Sequence, residues 1–163
     1  MILREPALQL DPRVRTLWTL EWVLAAVVAA AATGALAGLL LLGDERRAAL
    51  VAALAGGVLT ALLVAAAVVQ PRIAYRRFRY EITDLGLYVA RGRLWRTWQI
   101  VPHARVQTVD TKSGPFERAL GLVSVAVTTA SSSGGTAIPG LDRQVADALV
   151  TELARRAGID EGT

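Results

Sequence analysis

With 163 residues, 53% of them hydrophobic, the chain has room for one modest soluble domain once its apolar runs are set aside. It has no cysteine, which excludes disulfide frameworks, thiolate metal sites and cysteine nucleophiles. The formal net charge is +4 and almost entirely arginine-borne, so whether it points to a membrane or to nucleic acid depends on where the arginines lie.

The first elements are two apolar runs, "WVLAAVVAAAATGALAGLLLL" (22–42) and "AALVAALAGGVLTALLVAAAVV" (48–69). Neither carries a charge, a proline or a polar face, and each is long enough to cross a ~30 Å hydrocarbon core at ~1.5 Å per residue. They predict transmembrane helices over about 20–42 and 48–69. The first run exceeds the ~7–15 residues of a cleaved signal core and a second run follows at once, so cleavage is not expected. "GDERR" joins them, which makes an antiparallel hairpin with both chain ends on one side. Arg4, Arg13 and Arg15 precede the hairpin and Arg72, Arg76, Arg77 and Arg79 follow it, against Arg46 and Arg47 in the connection. That excess predicts both termini in the cytoplasm of a multi-pass protein of the bacterial cell membrane, with Trp18, Trp22, Tyr75 and Phe78 as an interfacial belt. Small residues recur every four positions, at Ala26, Ala30, Gly34 and Gly38 and at Ala53, Gly57, Ala61 and Ala65, and suit helix association within the hairpin or between chains. No ionisable residue lies within either span, which disfavours a channel or transporter.

Gln70-Pro71 marks the expected end of the second helix. Alternation then begins, with Phe78, Tyr80 and Ile82 on one face and Arg77, Arg79, Glu81 and Thr83 on the other. "TDLGL" (83–87) is a turn with Gly86 available for positive φ, and "LYVARG", "RLWRTWQIV" and "RVQTVDT" are further strands. The pattern breaks at "GPFERALGL" and resumes in "VSVAVTTA", with Val123, Val125 and Val127 on one side. "SSSGGT" is a loop and "AIPG" a last strand. From Asp142, a plausible N-cap, Val145, Leu149 and Leu153 form a helical stripe that ends at Arg155, Arg156 and Gly158. The fold class is α+β: residues 1–71 form a tail and helical hairpin, and 72–163 a cytoplasmic antiparallel barrel or sandwich closed by one C-terminal helix.

Two spans, "YEITDLGLYVARG", an aromatic-basic strand, "VPHARVQTVD", "GPFERALGLVSV" and "IPGLDRQVADALVTELARR" resemble the bacterial pleckstrin-homology-like (PH-like) membrane proteins of the YdbS-like group. The most specific residues are Pro102, Arg105, Gln107, Val109, Gly114, Pro115, Phe116, Arg118, Leu120, Gly121 and Leu122, with Ile138, Pro139, Gly140 and Leu141. The resemblance implies a bent antiparallel barrel capped by a helix at the inner membrane face; it does not imply an enzymatic activity, and no cofactor is expected. "RGRLWR" does not reproduce the lysine-rich first hairpin of eukaryotic phosphoinositide-binding PH domains, so inositol-lipid specificity is not implied.

The stretch 101–127 holds the only His and the only Lys of the chain. A lone His103 excludes a multi-histidine metal site, and no spacing enforces the Ser113–His103 contact that a nucleophilic serine requires. Lys112-Ser113 lacks the upstream glycine of a phosphate-binding loop. The stretch reads as structural: Pro102 and Gly114-Pro115 set corners, Arg105, Gln107 and Arg118 face water or a partner, and Phe116, Leu120 and Leu122 enter the core.

Function centres on Arg91, Arg93 and Arg96 interleaved with Trp95 and Trp98, beside Arg76, Arg77 and Arg79. These residues either lie on anionic membrane lipid, at about 1 kcal/mol per basic residue, or form a solvated face over two core tryptophans. The leading reading is a non-enzymatic scaffold or sensor that binds a membrane-protein partner or a second copy, through an open sheet edge or beside the C-terminal helix. Lipid-surface binding ranks next. A serine hydrolase using Ser113 or Ser131 to Ser133 with His103 is remote. Nucleic acid is not an expected partner, and no small-molecule substrate is indicated.

Overall fold

The computed structural model describes residues 4–92, 95–129 and 135–158. Its elements are α1 (Val14–Leu42), α2 (Arg46–Arg77), β1 (Arg79–Ile82), β2 (Gly86–Arg91), β3 (Thr97–Pro102), β4 (Val106–Lys112), α3 (Pro115–Leu120), β5 (Leu122–Thr129), β6 (Thr136–Asp142) and α4 (Arg143–Ala157). Contacts divide the chain into two compact units. Trp18–Arg72 is the helical hairpin, and the described parts of Met1–Leu17 and Ile73–Thr163 make the head.

Both hairpin helices are long and apolar enough to cross a membrane. Their backbones approach at Gly56, where a β-carbon would lie 2.1 Å from the Thr33 side chain. The Thr33 hydroxyl is returned to its own helix, donating to the Ala29 carbonyl at 2.8 Å. Gly34, Gly38 and Gly57 meet nothing within 4 Å, so the close approach lies at Gly56 rather than at those three glycines, while Ala26 of the first small-residue stripe is buried.

Helix α2 does not stop at Gln70-Pro71. It runs through Pro71 to Arg77, and Arg77 is therefore helical rather than the first strand residue. Pro71 removes the N–H that would have bonded the Ala67 carbonyl, but the helix is carried through by the turn beyond it. The Arg72 guanidinium donates to the Val68 carbonyl, and the Phe78 N–H closes the last turn onto Ala74 at 3.0 Å.

The head contains two three-stranded antiparallel sheets, β1-β2-β3 and β4-β5-β6. They form a sandwich-like pair that does not close into a barrel, the second of the two architectures expected from the sequence. Gly86 turns β1 into β2 at φ 157, and a β-carbon there would meet the Val101 carbonyl oxygen at 2.1 Å. Leu87, Val89 and Val101 from the first sheet and Leu122, Val125, Val127, Ile138 and Leu141 from the second are buried. A bulge between Val123 and Val125 leaves Val123 half-buried. Helix α4 starts at Asp142, whose carboxylate accepts from the Gln144 N–H at 3.0 Å, and ends at a left-handed Gly158. Its buried stripe is Ala146, Leu149 and Leu153, whereas the expected Val145 is 48% exposed.

Residues before the hairpin are stitched into the head. Leu8 and Tyr80 exchange backbone bonds of 3.0 Å at the free edge of β1, and the Asp11 N–H bonds the Gly140 carbonyl of β6 at 3.3 Å. Leu10, Val14 and Leu17 are buried. The Arg13 guanidinium reaches Asp11, Asp142 at 2.7 Å and the Leu120 carbonyl at 3.1 Å. These bonds raise the pKa of Arg13 above the usual guanidinium range, Asp11 first and Asp142 second, and Arg13 holds the Asp11 carboxyl below its ordinary value.

Candidate membrane-surface site

Strand register gathers most of the expected site at one end of the first sheet. Arg79 lies opposite Ala90, Ala90 opposite Trp98, and Arg91 opposite Thr97. The β2–β3 connection therefore emerges where α2 delivers the chain into β1, and Arg76 and Arg77 occupy the last turn of α2. Trp95, in that connection, is 86% exposed, and Trp98 is 38% exposed. Neither tryptophan is core, so the reading of a solvated face over two core tryptophans does not hold. Ile100, 51% exposed, continues their face along β3. Arg93 lies outside the described residues.

The arginines here are not equivalent. Arg96 pairs with Glu5 at 2.7 Å, its guanidinium 5.8 Å from the Trp98 ring centroid. Arg91 is exposed and donates to Gln99 Oε1 at 3.3 Å. Arg76 is exposed, and Arg77 and Arg79 are half-buried. Arg15 stands 5.0 Å over the Tyr75 ring. Residues 4–7 cross the same outer face, since Arg4 pairs with Glu81 and the Ala7 N–H donates to Glu81 Oε2 at 3.1 Å.

Two compact sheets, a capping helix and a pair of apolar helices in this order are what a known family would share. The family model described as "Bacterial PH domain" matches residues 17–157. The chain belongs to the bacterial PH domain family. It is also 32% identical over 91 residues to a protein of Bacillus subtilis (strain 168) named "UPF0699 transmembrane protein YdbS". That match covers 56% of this chain and 56% of the relative, so it spans little more than half of the relative's length. No solved structure matches. The chain is thus a membrane-associated bacterial PH-domain protein of the YdbS type.

In this bacterial PH domain the motif residues are mainly corners. Gly114 caps α3, Pro115 is its first residue, and Gly121 ends it in the left-handed region at φ 67. Pro102 ends β3, Arg105 lies in the 3-10 turn His103–Arg105, and Gln107 sits at the β4 irregularity between Val106 and Thr108. Arg105, Gln107 and Arg118 are exposed, as expected. Leu122 and Ile138 are core, and Leu120 and Pro139 are half-buried. Phe116 is not core: at 39% exposure it points outward, because the short α3 turns its inner side through Glu117 instead.

Glu117 was missed by sequence reading. One carboxylate oxygen accepts from the Gly114 N–H at 2.7 Å and the other from the Ser124 hydroxyl at 2.6 Å. Ser124 Oγ in turn accepts from the Gly140 N–H at 3.3 Å. The "GPFE" and "IPG" motifs are thereby one hydrogen-bonded bracket. A glutamate three residues after a helix-capping position is the signal that could have found it.

His103 is buried and its Nε2–H donates to the Thr83 carbonyl at 2.9 Å, while Ser113 donates to the Leu122 carbonyl at 3.2 Å. The two side chains serve separate backbone carbonyls, which leaves no Ser113–His103 relay; Ser131 to Ser133 lie outside the described residues. Among the described residues no three His, Asp or Glu side chains come together as a metal site. Burial raises the Tyr80 phenol above its ordinary pKa.

Proposed function

We propose that this chain is a non-enzymatic, multi-pass membrane protein whose head seats on the anionic cytoplasmic leaflet and acts as a scaffold or sensor there. Both termini are cytoplasmic in this reading. The observation that carries it is the 86% exposed Trp95 at the sheet end that also bears Arg76, Arg79, Arg91 and Arg96. Tryptophan favours headgroup depth, and each basic residue near an anionic leaflet contributes about 1 kcal/mol. Chain continuity supports the same end, because α2 passes into β1 through a single residue, Phe78.

The test is fluorescence quenching in the full chain with Trp18→Phe, Trp22→Phe and Trp98→Phe, leaving Trp95 as reporter. In nanodiscs containing anionic lipid, headgroup-proximal brominated lipid should quench Trp95 strongly, and in neutral nanodiscs weakly. Equal quenching in both, or none in either, sinks the seating. The scaffold role is supported by an apolar groove of about 460 Å³ between β1 and α4, away from the tryptophans. Photo-crosslinking in intact cells from exposed head positions should give a reproducible adduct; no adduct from any position would count against a partner.

A further inference from the structure

We propose that the free edge of β1, together with the adjoining face of α4, is a strand-addition site for a short extended apolar segment of a partner protein. The inference rests on the scaffold reading above and names its docking place. Tyr80 turns both its backbone groups outward to Leu8, Glu81 lies opposite Tyr88 of β2, and Thr83 exchanges bonds with Gly86. Antiparallel geometry therefore points the N–H and C=O of Ile82 to the same outer edge as those of Tyr80. Neither Ile82 group has a backbone partner among the described residues. The chain's own tail does not continue the ladder to Ile82. In the register set by Leu8 and Tyr80 its next pairing residue is Pro6, which has no N–H, and the Ala7 N–H is committed to the Glu81 carboxylate.

Behind that edge lies the groove. Leu8, Tyr80 and Ile82 form one wall, and Val145, Ala148 and Leu149 of α4 the other. This arrangement explains why Val145 is 48% exposed in an otherwise buried helix face, and why Leu8 is 49% exposed although its backbone is paired. A directional donor and acceptor at the lip of an apolar trough selects extended backbone. A lipid chain satisfies neither group, and a helix has its own groups occupied. A residue opposite Ile82 would place its side chain on the groove side, next to Leu8, and its neighbours would point the other way. The occupant is thus a segment with apolar residues at alternate positions, running antiparallel to β1. With only one bonded pair available, it binds in the weak, exchangeable regime unless membrane tethering raises its local concentration.

The probe is a synthetic heptapeptide, Lys-Thr-Val-Thr-Val-Thr-Lys, added to the full chain in nanodiscs. The reference is the same peptide N-methylated at its central residues, which keeps the side chains and removes the donors. Amide exchange at Ile82 should slow by about tenfold or more at saturating peptide. The N-methylated peptide should give no protection, and Val145→Asp should remove the effect without altering exchange in β5. Several outcomes overturn the proposal: no protection of Ile82 at millimolar peptide, equal protection by both peptides, or protection that follows protein or lipid concentration without peptide. Trp95 quenching in the same nanodiscs separates these failures from failure of membrane seating, and a cell adduct obtained only away from Val145 would leave the scaffold role standing without this site.

Discussion

Gly140 carries three demands at once. Its φ is 61, its carbonyl accepts from the Asp11 N–H, and a β-carbon on it would lie 2.2 Å from Val14 Cγ2. Gly140→Ala must both strain the backbone and displace Val14, so thermal unfolding in detergent should show a loss of about 1–3 kcal/mol. Glu117→Ala strands the Gly114 N–H and the Ser124 hydroxyl, and the same measurement should show about 1–3 kcal/mol. The sequence made both places visible as motifs but hid their reasons: only the folded sheet brings Ser124 between Glu117 and Gly140. Glu152 supplies the pH dependence. Hydrogen bonds from Arg155 and then Arg156 lower its carboxyl from 4.5 to about 2. The stabilisation from these pairs is whole above pH 4.5 and is lost as pH falls through about 2. Acid unfolding of Glu152→Gln should lack that component, and salt should weaken it in the native chain because the pairs face solvent.

At the scale of elements, strands and caps were legible because their signals are local. Alternation from Phe78 to Ile82, the Asp142 cap and the Gly158 stop all depend on neighbours a few residues away. The tail was not. "REPALQLDP" has no period, and its order comes from two edges it reaches only after folding, β1 at Tyr80 and β6 at Gly140. Pro71 misled for the opposite reason, since a local stop signal that costs one backbone bond is overridden within a long helix. Leu10→Ala removes a side chain that is 2% exposed and should destabilise the head by about 2 kcal/mol or more. Limited proteolysis should then cut the head sooner, with cleavage of the hairpin helices unchanged. The rotation of α4 that exposes Val145 was equally invisible, because Val145 and Ala146 are both acceptable apolar positions on a helix of that period.

For the whole molecule, composition alone identified the apolar pair of helices, since charge-free runs of that length are rare elsewhere. The gathering of Arg76, Arg91 and Trp95 at one sheet end needed the register, which sequence does not specify. Replacing Arg76 and Arg91 by glutamine should weaken seating on anionic nanodiscs by about thirtyfold, read from Trp95 quenching, with little change on neutral ones. Helix α1 is one uninterrupted rod from Val14 to Leu42, and its first turn is locked into the β-rich body by Val14 and Leu17. Since the last strand and the start of α1 meet through Val14 and Gly140, any side chain larger than a hydrogen at residue 140 has to lift Val14 away, so a fault in β6 is felt at once in the opening turn of α1.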